Sequence, residues 1–510
     1  MKKSAIIILL LCSIYGNSQT KDNASAHFNK GVQQFESNNY KGAIAEFDQV
    51  IKLKPDNSDA YLYRGIVKYT LGNYKSSISD CDEAIKLKPN FARAYYNRGV
   101  IKSQLGRDYK GAIADYDKAI SLKPYDEPAF LNRGIAEENL GKKESAMQDF
   151  NISIALNNSD EYAYNNLGIA KESTKNSTVS ILDFTKAIEL NPRLGKSYYN
   201  RAVAKSEMLD YKGAKEDLDK AIELNYKEAE AYSHRAFAQY SLGDYLNAVS
   251  DYDLAINLSP SDATLYNNRG LAKIKFMRFK EAFEDYNKSI ELKSNYAEAY
   301  YNRGLEKNML SEYSSALLDL NKTIELNSDN DLAYCYRGIV KGTMSDYKGA
   351  IVDYDKAIEL NSNFAQAYYN KAIAEDKLGN TQNSIADLNK SIELKPNSSQ
   401  SYRQRAIVKY KLADYSGALL DYNKVIEINP SNAEAYNNRG IIKNKSKDYK
   451  AAIQDFDKAI QLEPDYAIAY NNRAIAKEAL DDNKGSCADW KKALELGFNS
   501  ADIKIKINCN

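Results

Sequence analysis

Residues 433–466 set out the pattern that governs the chain. Apolar positions recur at helical spacing in two runs, Ala435, Tyr436, Gly440 and Ile441, then Tyr449, Ala452, Ile453, Phe456, Ala459, Ile460 and Leu462. Polar Lys447 and Asp448 separate the runs, and Pro464 follows the second. Spacings of three and four residues put each run on one helical face and proline ends a helix, so the segment predicts a helix, a tight turn and a second helix. Gly440 and Ala452 are small where two helices must approach closely, and Tyr436, Tyr449 and Phe456 supply bulk beside them. One hairpin of this size cannot bury its apolar faces, so it requires neighbours.

The neighbours are copies. The large residue at Tyr436 recurs as His27, Tyr61, Tyr95, Phe130, Tyr164, Tyr198, Tyr232, Tyr266, Tyr300, Tyr334, Tyr368, Tyr402 and Tyr470, every step 34 residues except one of 35. An extra residue near Arg107 and Asp108 accounts for that exception. Fourteen repeats thus fill residues 24–500, and a length that would ordinarily mean several domains means instead one array whose members touch their neighbours.

Numbered with Tyr436 at position 4, Gly440, Tyr449, Ala452, Phe456, Ala459 and Pro464 fall at positions 8, 17, 20, 24, 27 and 32. Position 8 is Gly or Ala, and position 20 Ala or Ser, in all fourteen repeats. This closely resembles the tetratricopeptide repeat (TPR) along the whole of residues 24–500. The resemblance implies an all-α solenoid of helix-turn-helix repeats wound into a right-handed superhelix. It also implies first helices that line a groove and a protein-binding, non-catalytic role.

The chain departs from that family in its charges. Position 7, usually Leu, is basic in every repeat but the fifth, as in Arg64, Arg98, Arg303 and Arg473, with Leu167 the exception. Position 11 is Lys in ten repeats, including Lys68, Lys273 and Lys477, one helical turn away. Position 23 is acidic in all fourteen, from Glu46 and Asp80 to Asp489. A basic stripe invites phosphate, but 70 Lys and Arg against 69 Asp and Glu leave a net charge of +1, which favours internal pairing. The same balance supplies no field for a nucleic-acid partner.

Both ends carry further signals. Lys2 and Lys3 precede an apolar run from Ala5 to Ile14, and Gly16 and Ser18 suit cleavage before Gln19, so residues 1–18 read as a secretory signal peptide and 19–23 as a linker. A lipid anchor at Cys12 is the rival reading, against which stands Leu11 where a small residue is usual. The mature chain is therefore expected in the periplasm or outside the cell, with no transmembrane helix. An oxidising compartment permits disulfides. Cys487 lies near the start of a helix that Gly497 ends, and Cys509 at the end of the next possible helix, in the capping tail 501–510. An antiparallel hairpin makes those ends neighbours, so the two are either bridged or both free. Cys81 and Cys335 lie in distant repeats and are expected to be free thiols. The turns of repeats four and five, Lys142-Lys143 and Lys175-Asn176-Ser177-Thr178, are the most degenerate and mark a softer joint.

Catalytic chemistry finds no footing. His27 and His234 stand six repeats apart, and no Cys-x-x-Cys, HExxH, GxGxxG or GxxxxGK[ST] pattern occurs. No catalytic residue, metal or cofactor is expected. Position 6 faces the groove in the family resembled, and here it is Asn97, Asn132, Asn166, Asn200, Asn268, Asn302, Asn370, Asn438 and Asn472, with Asn29 at the start and His234 in repeat seven. An asparagine can grip both the N–H and the C=O of an extended chain, or merely bond locally, and both readings stand. Positions 12 and 13 add polarity, with Glu36, Glu138, Glu172 and Glu207 early and Lys275, Lys377, Lys411 and Lys445 late. Apolar position 9, from Val32 to Ile475, excludes the carboxylate clamp of TPR co-chaperones, which needs Asn there. The expected function is a scaffold for a protein or extended peptide. The alternative is a structural or assembly component of the cell envelope or of secretion or surface-glycan machinery.

Overall fold

The computed structural model describes residues 23–509, so the expected signal peptide and nearly all of the linker lie outside the described residues. Every regular element described is a helix. Fourteen helical pairs run from Asn23–Glu36 and Tyr40–Leu53 to Ala467–Glu478 and Asn483–Glu495, and Ala501–Asn508 forms a last single helix. The first helices of repeats two to fourteen begin at position 1 of the 34-residue period, while that of repeat one begins one residue earlier.

Local chemistry explains these boundaries. In many repeats an Asp or Asn caps the second helix, its side chain accepting from the backbone N–H three residues on, as Asp108 does from Gly111, Asp346 from Gly349 and Asp482 from Gly485. Just before the cap the chain passes through the left-handed region, which Gly72, Gly141, Gly243 and Gly379 adopt without strain. Lys175, Leu209 and Met277 are forced into it at φ of 60°, 64° and 59°. Second helices end just ahead of Pro55, Pro89 and Pro464.

The chain divides between Ser261 and Asp262 into two compact halves of seven repeats each. Within each half the same packing recurs. A Cβ added to Gly99 would lie 2.8 Å from the Tyr116 ring, and one added to Gly440 would lie 2.7 Å from Phe456, which is why position 8 stays small against the aromatic at position 24. The exposed side of each second helix is then covered by position 10 of the next repeat, Ala136 on Ala112 and Tyr116, and Ala476 on Ala452 and Phe456. After repeat fourteen the last helix described, Ala501–Asn508, takes that place. Phe498, Ala501 and Ile505 close over Trp490, which is fully buried. A Cys487–Cys509 disulfide, with Cα atoms 5.6 Å apart, ties this helix down. Cys81 and Cys335 are buried free thiols.

Candidate functional site

The charged columns meet inside most of the hairpins. Arg64 donates from Nε and Nη2 to the two oxygens of Asp80 at 3.0 and 2.6 Å, and Lys68 Nζ reaches Asp80 Oδ2 at 2.7 Å. The third guanidinium nitrogen leaves the repeat, Nη1 donating to Asp48 of repeat one at 2.6 Å. Beneath it lies the aromatic of position 4, the guanidinium carbon 5.4 Å from the Tyr61 ring centre. Repeat nine repeats the arrangement, with Arg303 on Asp319 at 2.8 and 2.6 Å, Lys307 at 2.8 Å, and Nη1 on Asn287 of repeat eight at 2.6 Å. Repeats thirteen and fourteen do the same through Arg439 and Arg473. In these repeats the position-23 carboxylate is at most 5% exposed, so these are forked, charge-assisted bonds largely shielded from water. With all three nitrogens engaged, the arginines present no fork to a phosphate.

Position 25, which takes the third bond, escaped the sequence reading because it has no apolar signal. The clue was there: it is Asp, Asn or Thr in thirteen repeats and Lys491 in the fourteenth, where no following arginine reaches back.

Three places break the arginine ladder, and in one of them, repeat eleven, Lys371 stands in for the arginine and reaches Asp355 at 2.9 Å and Asp387 at 3.5 Å. In repeat one Glu46 takes Lys30 and His27, each at 2.6 Å, and these two bonds hold its carboxyl below the usual range. In repeat five Leu167 is buried with Leu131, Ala146, Phe150 and Ala163, and Asp183 keeps Lys171 alone at 2.7 Å. Burial pushes the Asp183 carboxyl up, against the pull of Lys171. Asn151, at position 25 of repeat four, bonds its own helix at Met147 O instead. Nearby, Glu127 accepts from Ser153, and burial above all, then the carboxylates of Asp160 and Asp126, pushes it up to about 7 against the pull of that bond.

Of the residues singled out at position 6, Asn29 is exposed and the other ten lie half-buried on the first helices. Within repeats eight and nine, and again within thirteen and fourteen, they form a chain of amides with position 5. Asn267 Nδ2 donates to Asn268 Oδ1 at 3.1 Å, and Asn302 Nδ2 of the next repeat donates to Asn267 Oδ1 at 2.9 Å. Asn437, Asn438 and Asn472 repeat this at 3.3 and 2.9 Å. Asn200 bonds Asn165 of repeat five at 2.9 Å. Elsewhere the bonds are more varied. Asn97 donates to Arg93 O, Asn132 to Pro128 O and the Tyr96 hydroxyl, and Asn370 lies 4.0 Å from Cys335 Sγ while accepting from Gln366. His234 meets Tyr199 edge-on at 5.6 Å, and burial lowers its pKa. Asn166 shares the face. The position-5 asparagines were the missed partners, legible only once hairpin stacking brings position 5 of one repeat beside position 6 of the next.

Among the described residues no cluster of three or more His, Cys, Asp or Glu is placed to hold a metal ion, and no helix is long and apolar enough to cross a membrane.

Models of the tetratricopeptide repeat match residues 92–126, 161–194, 199–263, 263–296, 365–398 and 433–466, and a model described as TPR repeat matches 33–72 and 410–445. No curated protein sequence matches significantly. Similar solved structures include the Cut9–Hcn1 hetero-tetramer of the APC/C, 12% identical over 89% of this chain and 96% of that one with a TM-score of 0.41. Yeast Tom70 is 18% identical over 83% and 96%, TM-score 0.40. A tetratricopeptide repeat protein from Parabacteroides merdae is 24% identical over 49% and 98%, TM-score 0.39.

Proposed function

The chain belongs to the tetratricopeptide repeat family, and on that premise we propose that it is a non-catalytic scaffold holding a protein or an extended peptide against its row of first helices. The make-up of that row is the observation that supports this reading. Half-buried amides at position 6 alternate with aliphatic side chains at position 9, of which Val203, Leu271, Leu305, Ile339 and Ile373 are only partly covered. An extended chain matches both, its backbone meeting amides and its alternate side chains meeting the aliphatic patches. Nucleic acid does not suit a row whose cations are spent on internal carboxylates.

The test replaces Asn268, Asn302 and Asn370 by Ala together and reads both melting and capture of partners from an envelope extract. Because Asn302 also bonds Asn267 across repeats, the melt must be followed alongside. Capture lost beyond any change in melting supports the scaffold reading, and capture unchanged removes the asparagines from it. The second reading, an assembly component that spaces other parts of the cell envelope, draws support from the bonds those amides already make to each other. In that case the triple variant melts earlier and captures nothing less than the parent.

Export belongs to the same proposal. Lys2 and Lys3 ahead of the apolar run, and a disulfide at the opposite end, support a mature chain that begins at Gln19 and works in the periplasm or outside the cell. Sequencing the N-terminus of the protein recovered from cell fractions tests it, and a cytoplasmic chain that keeps residues 1–18 rejects it.

A further inference from the structure

We propose that the joint between repeats eight and nine is closed by a proton on Glu306 and loosens when that proton leaves. Glu306 lies in the first helix of repeat nine, Ala297–Met309, at position 10. That position is Ala272, Val340 and Ala374 in nearby repeats, and Ala, Val or Ile in every other repeat from two to fourteen. It is the position that covers the preceding second helix, as Val340 covers Ala316 and Leu320. By the same register Glu306 stands over Ala282 and Tyr286 of repeat eight, both buried. Its own exposure is 3%, and neither carboxyl oxygen has a hydrogen-bond partner.

Among the described residues the buried and half-buried cations around it are already engaged, and Lys275 and Lys280 of repeat eight lie exposed. On its own helix Arg303 and Lys307 are held by Asp319 of the second helix. In repeat eight Arg269 and Lys273 are held by Asp285, and Arg278 lies with Glu281. In repeat ten Arg337 and Lys341 are held by Asp353. A carboxylate stripped of water, donors and counter-ions is costly, whereas the neutral acid is tolerated. Burial alone pushes the group up to about 7 from an ordinary 4.5.

The sign follows from proton linkage. In the open joint Glu306 ionises at its ordinary value, while in the closed joint it holds the proton up to about 7. Closure is therefore strongest at and below pH 4.5, weakens as pH rises from there to about 7, and stays level above. The Asn302–Asn267 amide bond and the Arg303–Asn287 bond span the same joint and loosen with it.

Hydrogen exchange on the mature chain, corrected for the intrinsic pH dependence of amide exchange, reads this directly. Between about pH 5 and pH 8, protection of Phe279–Leu292 and Ala297–Met309 falls by about a hundredfold, while Tyr449–Leu462 and Ala467–Glu478 serve as the reference. Glu306→Ala, which restores the residue of neighbouring repeats, abolishes the pH dependence and keeps the high protection at pH 8. Glu306→Gln keeps the volume but cannot ionise, so its protection, whatever its level, is the same at both pH values. A wild-type joint whose protection does not change relative to the reference overturns the proposal. So does a pH dependence that survives in either variant.

Discussion

Repeats four and five and repeats nine and ten face one task, stacking a hairpin on the next, and meet it with opposite chemistry. Between nine and ten, Arg337 forks onto Asp353 of its own repeat and sends Nη1 back to Asn321 at 2.7 Å, with Lys341 completing the cluster. Between four and five, Leu167 takes the arginine's place and joins an apolar cluster with Leu131 and Phe150. The apolar joint is held by burial, which has no preferred direction. The ionic joint asks three nitrogens to find three acceptors, and only one register of the hairpins satisfies them. Buried pairs of this kind add little net stability over apolar packing, because desolvation offsets the Coulombic gain. In this protein they act as register pins, and repeat five shows that the stack forms without one.

The difference predicts how each joint breaks. Arg337→Met leaves Asp353, only 1% exposed, with a lysine where it had three donors, and is expected to cost about 3–5 kcal/mol. Lys322→Met, whose partner Glu325 lies on the surface, should stay within about 0.5 kcal/mol. Denaturant melts of the two variants decide the matter, and equal shifts would refute the pinning role.

A third kind of joint is covalent. The last helix covers Trp490 with few residues of its own, and the Cys487–Cys509 bridge, between cysteines 22 positions apart, holds it there. On the chain-entropy account Cys509→Ser costs the end of the chain about 3 kcal/mol. Trp490 fluorescence should report the loss at a lower denaturant concentration than far-ultraviolet circular dichroism reports for the rest of the chain. Coincident transitions for parent and variant would show that apolar cover alone suffices.

The apolar joint should fail more gently than the ionic one. Leu167→Ala removes a side chain that is 3% exposed and leaves a cavity beside Phe150, for about 2–3 kcal/mol. A cost above that of Arg337→Met would reverse the ranking of the two joints.

What the sequence disclosed follows from which signals are periodic. Helix pairs, their starts at position 1, small position 8 and acidic position 23 recur at 34 residues, and periodic packing requires them, so they could be read directly. Arg64 and Asp80 could be paired by column, yet the reach of Arg64 back to Asp48 was harder to see, because position 25 keeps a short oxygen-bearing side chain in thirteen repeats and not a single residue type. The asparagine row was legible as residues but not as a network, since Asn302 bonds Asn267 35 positions away, across a stacking geometry the sequence only implies. Glu306 was missed for the opposite reason. It breaks a column, and a search for what recurs passes over the one repeat that differs.

The smallest effect lies in the turns, where repeats four and five differ from each other. Repeat four passes the left-handed region with Gly141, at φ 77°, and repeat five with Lys175, at φ 60°. A side chain there costs about 1–2 kcal/mol of steric strain, against which glycine loses about 0.5–1 kcal/mol more conformational entropy on folding. Lys175→Gly should therefore stabilise repeat five by about 0.5 kcal/mol, and Gly141→Ala should destabilise repeat four by about 1 kcal/mol. The lysine's exposed position means that no packing is lost in the exchange. If both variants melt as the parent does, turn strain is not what sets these repeats apart, and the missing arginine at Leu167 must carry the difference alone.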